Sequence, residues 1–112
     1  MTKQYHIYGL GAALVDTEIT LTDADLARMG VEKGVMTLVD EARQAELLAY
    51  LQENRVASSR ASGGSAANTI IAASYFGSRN MYSCKVANDD NGAFYLADLA
   101  AAGVVTPTHI QP

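Results

Sequence analysis

Cysteine is almost missing from this chain of 112 residues. Cys84 stands alone, so no internal disulfide can form. It lies in a strand-like run and reads as a buried structural thiol rather than a nucleophile. A chain without disulfides points to the cytoplasm. Histidine is scarce too. His6 and His109 lie at opposite ends with no metal-ligand spacing, and each is expected to be an ordinary strand residue. Basic residues are outnumbered, 8 Lys and Arg against 12 Asp and Glu, for a formal charge of −4 and a pI near 4.9. Nucleic-acid partners call for a basic stripe, and none is present. No apolar run approaches the roughly 20 residues of a membrane span. The start, MTKQYHIYGLG, lacks the features of a secretory signal. No membrane partner is expected.

Common catalytic motifs are also lacking. GLGAAL, residues 9–14, begins like a dinucleotide fingerprint, but Leu14 stands where the third glycine belongs. No Gly-Lys-Ser/Thr phosphate loop occurs. GGSAA lacks the glycine that a serine elbow needs two residues after the serine. The pair Asp89–Asp90 suits a helix N-cap with an acidic neighbour better than a metal site. No catalytic residue and no metal site are expected.

What is present is a globular composition, 49% hydrophobic and 18% charged. A single domain of this length buries roughly two thirds of its unfolded surface. YHIYG at 5–9 reads as a strand. TEITLT, 17–22, and VMTLV, 35–39, read as two strands with one wet face. The glycine-containing stretch between them reads as a loop or a brief helical turn. Asp40 suits an N-cap for a helix that Asn54 closes, with Ala45, Leu48 and Leu51 on one stripe and Leu47 beside it. VASSRAS is a modest strand. AANTIIAASYF is a second helix, with Ala67, Ile70, Ile71, Ser74 and Tyr75 on one face and Gly77 beyond its end. RNMYSCKV alternates, placing Tyr82, Cys84 and Val86 together. AFYLADLAAA is a third helix with Phe94, Ala97 and Ala101 together, and Gly103 ends it. VVTPTHI is strand-like, with Pro107 confining it to an edge or a bulge. Strand and helix alternate in the later part, which predicts an α/β fold with a parallel sheet and flanking helices. The strands within 18–38 suit a small separate sheet. The chain stops as its final strand begins, which predicts pairing with another copy or membership of a longer protein.

The sequence ASGGSAANTIIAASYFG, 61–77, sets glycines directly before a helix. At the carboxyl end of a strand such glycines let a ligand approach the backbone, and the helix start offers free N–H groups. Gly63 and Gly64 are therefore candidates to hold a polar ligand. Asn68, in the first turn, supplies both a donor and an acceptor for a hydroxyl pair. Asp16, just after the first strand, is a candidate carboxylate hook for a diol. A tight strand-to-helix turn accounts for the glycines equally, and a surface turn accounts for Asp16.

GLGAALVD, followed some fifty residues later by SGGSAANT and then by KVANDDNGAFYLADLAAAGV, resembles the ribokinase-like, or PfkB-type, family of sugar and nucleoside kinases. GVEKGVMTLVDEARQAELLAYL is similar to members allied to adenosine kinase. The matches keep the family's order over essentially the whole chain. The resemblance implies a Rossmann-like α/β sheet with a small β lid, formed by residues of about 17–39 and 104–112. The chain would be the N-terminal portion of the full domain. It implies that Asp16, Gly63, Gly64 and Asn68 bind substrate hydroxyls, and that the full-length kinase uses ATP and Mg²⁺ to phosphorylate a primary hydroxyl of a sugar or nucleoside. The family's C-terminal Gly-Ala-Gly-Asp motif, with its catalytic aspartate and anion hole, has no counterpart here. Nor has the acidic magnesium motif. Phosphoryl transfer needs positioning and electrostatic stabilisation of the transferring group, so the chain alone is expected to hold neither cofactor and to be inactive. Ala12, where adenosine kinases often carry asparagine, and Ala87, where glycine is common, depart from the pattern. The other expectation is a non-catalytic binding or dimerisation module: family lids often pair, and the lid strands or an exposed sheet edge would serve a homo-oligomer. A regulator with a degenerate kinase fold is a third.

Overall fold

A computed structural model of the protein describes residues 4–54, 56, 58–107 and 110–111, the last two by backbone alone. The chain divides into two compact units. One takes the residues up to Thr17 and from Arg60 onward, and the other takes Glu18–Ser59.

In the first unit, β1 (Ile7–Leu10) and a strand at Asn80–Ser83 lie parallel, with Ile7 opposite Asn80 and Leu10 opposite Ser83. Val105 bridges Met81 on the other side, also in parallel, so Asn80–Ser83 is flanked on both edges. Parallel neighbours require crossovers, and helices supply them. β2 (Leu14–Ile19) and β3 (Ser58–Gly63) pair in a sheet of their own. The polar alternation predicted a small sheet of residues 17–22 with 35–39; β2 instead begins three residues before the expected start and pairs with β3.

Residues 35–39 form no strand. They leave Met36 and Leu38 both 89% exposed. A β-prone stretch without a neighbouring strand has no ladder to complete. The stretch before them is more regular than expected. α1 (Asp23–Met29) is held by a capping box in which Thr22 and Asp25 satisfy each other's backbone, and it stops at Gly30.

α2 (Glu41–Glu53) starts and ends at Asp40 and Asn54 as the sequence predicts. Its covered face differs. Arg43, Leu47, Tyr50 and Leu51 are half-buried, whereas Ala45 and Leu48 are exposed. Polar anchors turn the helix this way. Arg43 donates to the Met29 carbonyl, and Tyr50 Oη donates to Asp25 Oδ1 at 3.0 Å, both reaching α1.

α3 (Ser65–Tyr75) packs on β1 and on β4, the strand at Asn80–Ser83. Ala67 and Ile70 are buried as expected, but Tyr75, at the helix end, is exposed. The alternating run 79–86 divides into β4 and the short β5 (Val86–Ala87), with Cys84 in the link. Tyr82, Cys84 and Val86 face the core, and burial pushes the Cys84 thiol up. Asn80 is buried too, held by Ser78 and Ser74.

Asp89 caps α4 (Asp90–Ala101) by accepting from the Gly92 amide, with Asp90 in the first turn, as predicted. The buried face is Gly92, Tyr95 and Leu99, not Phe94, Ala97 and Ala101. Phe94 instead lies under the Arg60 guanidinium, 4.6 Å from the ring centroid. β6 (Ile110–Gln111) pairs in parallel with β5. His6 lies just before β1 rather than within it, and its Nδ1 accepts from the Arg79 amide. His109 lies outside the described residues. Among these residues no helix is long and apolar enough to cross a membrane.

Candidate functional site

β2 divides its side chains by alternation. Val15, with Ala13 just before the strand, packs against the core, while Leu14 and Asp16 lie on the other face. That second face meets the end of β3. A methyl group on Gly63 would come 2.7 Å from the Asp16 carboxyl carbon, closer than any real side chain tolerates. A side chain there would displace the carboxylate from its present place, whatever the backbone conformation. Gly64, the N-cap of α3, is glycine for a different reason, since its φ of +100° disfavours any side chain.

Asp16 is exposed and accepts no hydrogen bond from the protein among the described residues, so its lone pairs remain free. The first turn of α3 receives no side-chain cap. Its opening N–H groups therefore lack the oxygen that Asp40 and Asp89 give to α2 and α4. A carboxylate and a helix start with unused donors can together hold a group that both donates and accepts, such as a hydroxyl.

Three of the four expected site residues are thus neighbours: Asp16, Gly63 and Gly64. Asn68 is tied to them through its backbone, whose amide donates to the Gly64 carbonyl at 2.9 Å. Its side chain is exposed and makes no hydrogen bond with Asp16.

Sequence reasoning missed the supports. Ser62, beside Gly63, donates from both its amide and its hydroxyl to Asp98 Oδ2, at 3.0 and 2.7 Å. This fastens the end of β3 to α4. Tyr82 reaches the Ala12 carbonyl, and Tyr95 lies within reach of the carbonyls of Ala12 and Gly63. The alternation around Tyr82 was the only signal available, and it marks a core residue without revealing what its hydroxyl holds.

The larger hollows in this unit lie elsewhere. One of about 260 Å³ is lined by Val15, Lys85, Ala87, Asp89 and Asn91 among others, on the face of β2 opposite Asp16. Another, about 610 Å³ and open, runs along Leu10–Ala13 and Ser83–Lys85. Neither contains Asp16, Gly63, Gly64 or Asn68. Among the described residues no three carboxylate, imidazole or thiol groups gather.

The unit thus sets glycines at a strand-to-helix turn beside an exposed carboxylate, within a parallel α/β arrangement. A family model for the pfkB family carbohydrate kinases matches residues 37–112. The chain belongs to that family. Among solved structures it is similar to a probable sugar kinase from Rhizobium etli CFN 42, at 31% identity and a TM-score of 0.72, over 98% of this chain and 32% of that one. It is similar to an adenosine kinase from Sinorhizobium meliloti at 34% identity and a TM-score of 0.71, over 97% of this chain and 32% of the other. The Trypanosoma brucei brucei adenosine kinase shares the fold, with a TM-score of 0.79 at 21% identity over 98% of this chain and 34% of its own. The chain spans about a third of the length of these proteins. No curated protein matches it.

Proposed function

We propose that this chain is the substrate-binding and lid portion of an ATP-dependent kinase that phosphorylates a primary hydroxyl of a sugar or nucleoside. Asp16 accepts from two substrate hydroxyls, Gly63 and Gly64 let the ligand reach the backbone, and Asn68 adds an amide. The observation that carries the proposal is the free Asp16 carboxylate lying against the bare Cα of Gly63. ATP and Mg²⁺ belong to the complete kinase. The chain alone supplies no phosphoryl-transfer site and is inactive by itself. The lid segments of about 17–39 and 104–112 belong to the same proposal, as does a cytoplasmic location, which rests on the single cysteine.

Calorimetric titration of D-ribose and of adenosine into the chain tests the assignment. One of them binds, and Asp16→Ala abolishes that binding. Unchanged affinity in Asp16→Ala would remove Asp16 from the site. Ala12 presents no side-chain hydrogen bond to a base, which favours the sugar over the purine as the recognised part.

One observation favours a second reading, a module that pairs with another copy. Residues 35–39 present Val35, Met36 and Leu38 to solvent, at 52%, 89% and 89% exposure. An apolar, unpaired, β-prone stretch is a template for strand addition. Sedimentation that finds only monomer across a wide concentration range would rule it out.

A further inference from the structure

Two buried phenol groups converge on the backbone of the candidate site. Tyr82 comes from β4 and Tyr95 from α4, and they are 0% and 1% exposed. Tyr82 Oη donates to the Ala12 carbonyl at 2.8 Å. Tyr95 Oη lies 3.3 Å from the same carbonyl and 3.3 Å from the Gly63 carbonyl.

A phenol carries one proton and a carbonyl oxygen two lone pairs. Ala12 can accept from both tyrosines, while Tyr95 donates to one of its two acceptors at a time. Either way its hydroxyl stands between two separate stretches of chain. Ala12 lies in the connection from β1 to β2, four residues before Asp16. Gly63 is the residue against which that carboxylate rests. Packing alone does not call for the hydroxyls, because phenylalanine would fill nearly the same volume. A hydroxyl so deeply buried costs free energy unless it is bonded. The Tyr95 hydroxyl reaches the two carbonyls, and it also meets the Tyr82 hydroxyl and the Leu14 backbone at the start of the Asp16 strand.

We infer that Tyr95, with Tyr82 beside it, is a positioning residue that sets the spacing between the Asp16 strand and the Gly63–Gly64 turn. The inference rests on the hydroxyl-binding reading for its consequence, and on the tyrosine geometry alone for the strap itself.

The test compares Tyr95→Phe, Tyr82→Phe and the unaltered chain by amide hydrogen exchange and by titration of D-ribose and adenosine. In Tyr95→Phe, exchange at Ala13–Val15 and at Asn68 rises about tenfold, as the loss of one buried bond allows, while β4 amides are unchanged. Affinity for the ligand that binds falls by a similar factor, although Asp16 is intact. Tyr82→Phe shows a smaller effect confined to Ala13–Val15, and it carries the test should Tyr95→Phe fail to fold. Unchanged local exchange overturns the inference. So does a uniform rise across the whole unit, the mark of a purely structural tyrosine. If the unaltered chain binds neither ligand, the hydroxyl-binding reading falls, and the exchange pattern alone decides whether the strap exists.

Discussion

At position 63 the candidate site and the fold bear on the same residue. Gly63→Ala would push a methyl group against the Asp16 carboxylate, with 2.7 Å to its carboxyl carbon. Either the exposed Asp16 side chain rotates away, the cheaper course, or β3 shifts. The expected result is a chain that still folds, with a lower midpoint in denaturant and no measurable affinity for the ligand that the unaltered chain binds. Full affinity in Gly63→Ala would mean that the carboxylate does not need its present place. The two tyrosines act on the same small region from below. Burial, above all, pushes both phenols up, with the Tyr82–Tyr95 proximity adding to the rise in Tyr95, so both remain protonated donors throughout the range in which the chain would be studied.

Among the elements, α1 is the one the sequence nearly concealed, because two glycines lie close to it and only seven residues are helical. Its cap explains it, and the cap is titratable. The Asp25 carboxylate accepts from the Thr22 backbone first, then from the Thr22 hydroxyl and Tyr50, and these bonds hold its pKa below the ordinary aspartate value. A depressed folded-state pKa contributes stability above the unfolded value, and that contribution is lost as pH falls through the folded one. Amide protection in α1 should therefore drop as the pH is taken below roughly 4, where aspartate protonates. Thr22→Ala should move that loss to higher pH. A pH-independent α1 would contradict the cap. The other elements show where sequence reading succeeds. Asp40, Asp89 and the alternation of Tyr82, Cys84 and Val86 were legible because a cap or a strand face depends on residues close along the chain. The covered faces of α2 and α4 were not, since Arg43, Tyr50 and Arg60 fix them through partners far away in sequence. The site was half legible for the same reason. Gly63, Gly64 and Asp16 carry a local pattern, but nothing in the pattern marks Ser62, Tyr82 or Tyr95 as the groups that fasten them.

For the whole molecule, burial is distributed unevenly between the two units. The core cluster, from Ala67 and Ile70 through Tyr82, Val86, Tyr95 and Leu99 to Val104, belongs to the unit that begins again at Arg60. Among the described residues, Met29 is the one buried hydrophobic residue in Glu18–Ser59, and α2 buries none. Local opening is cheapest where few apolar contacts must be broken. The unit from Glu18 to Ser59 is held instead by caps and by polar bonds such as those of Arg43 and Tyr50 to α1. Native-state hydrogen exchange should therefore find two levels of protection. Amides of β4, α3 and α4 should exchange only through the largest opening, and those of α1 and α2 through a smaller one. Leu99→Ala, which empties a fully buried site at a cost of about 2–5 kcal/mol, should lower the first level and leave the second nearly where it was. Equal protection in both units, or an equal fall in both, would mean that the chain opens as one cooperative body. The polar second unit would then draw its stability from the first.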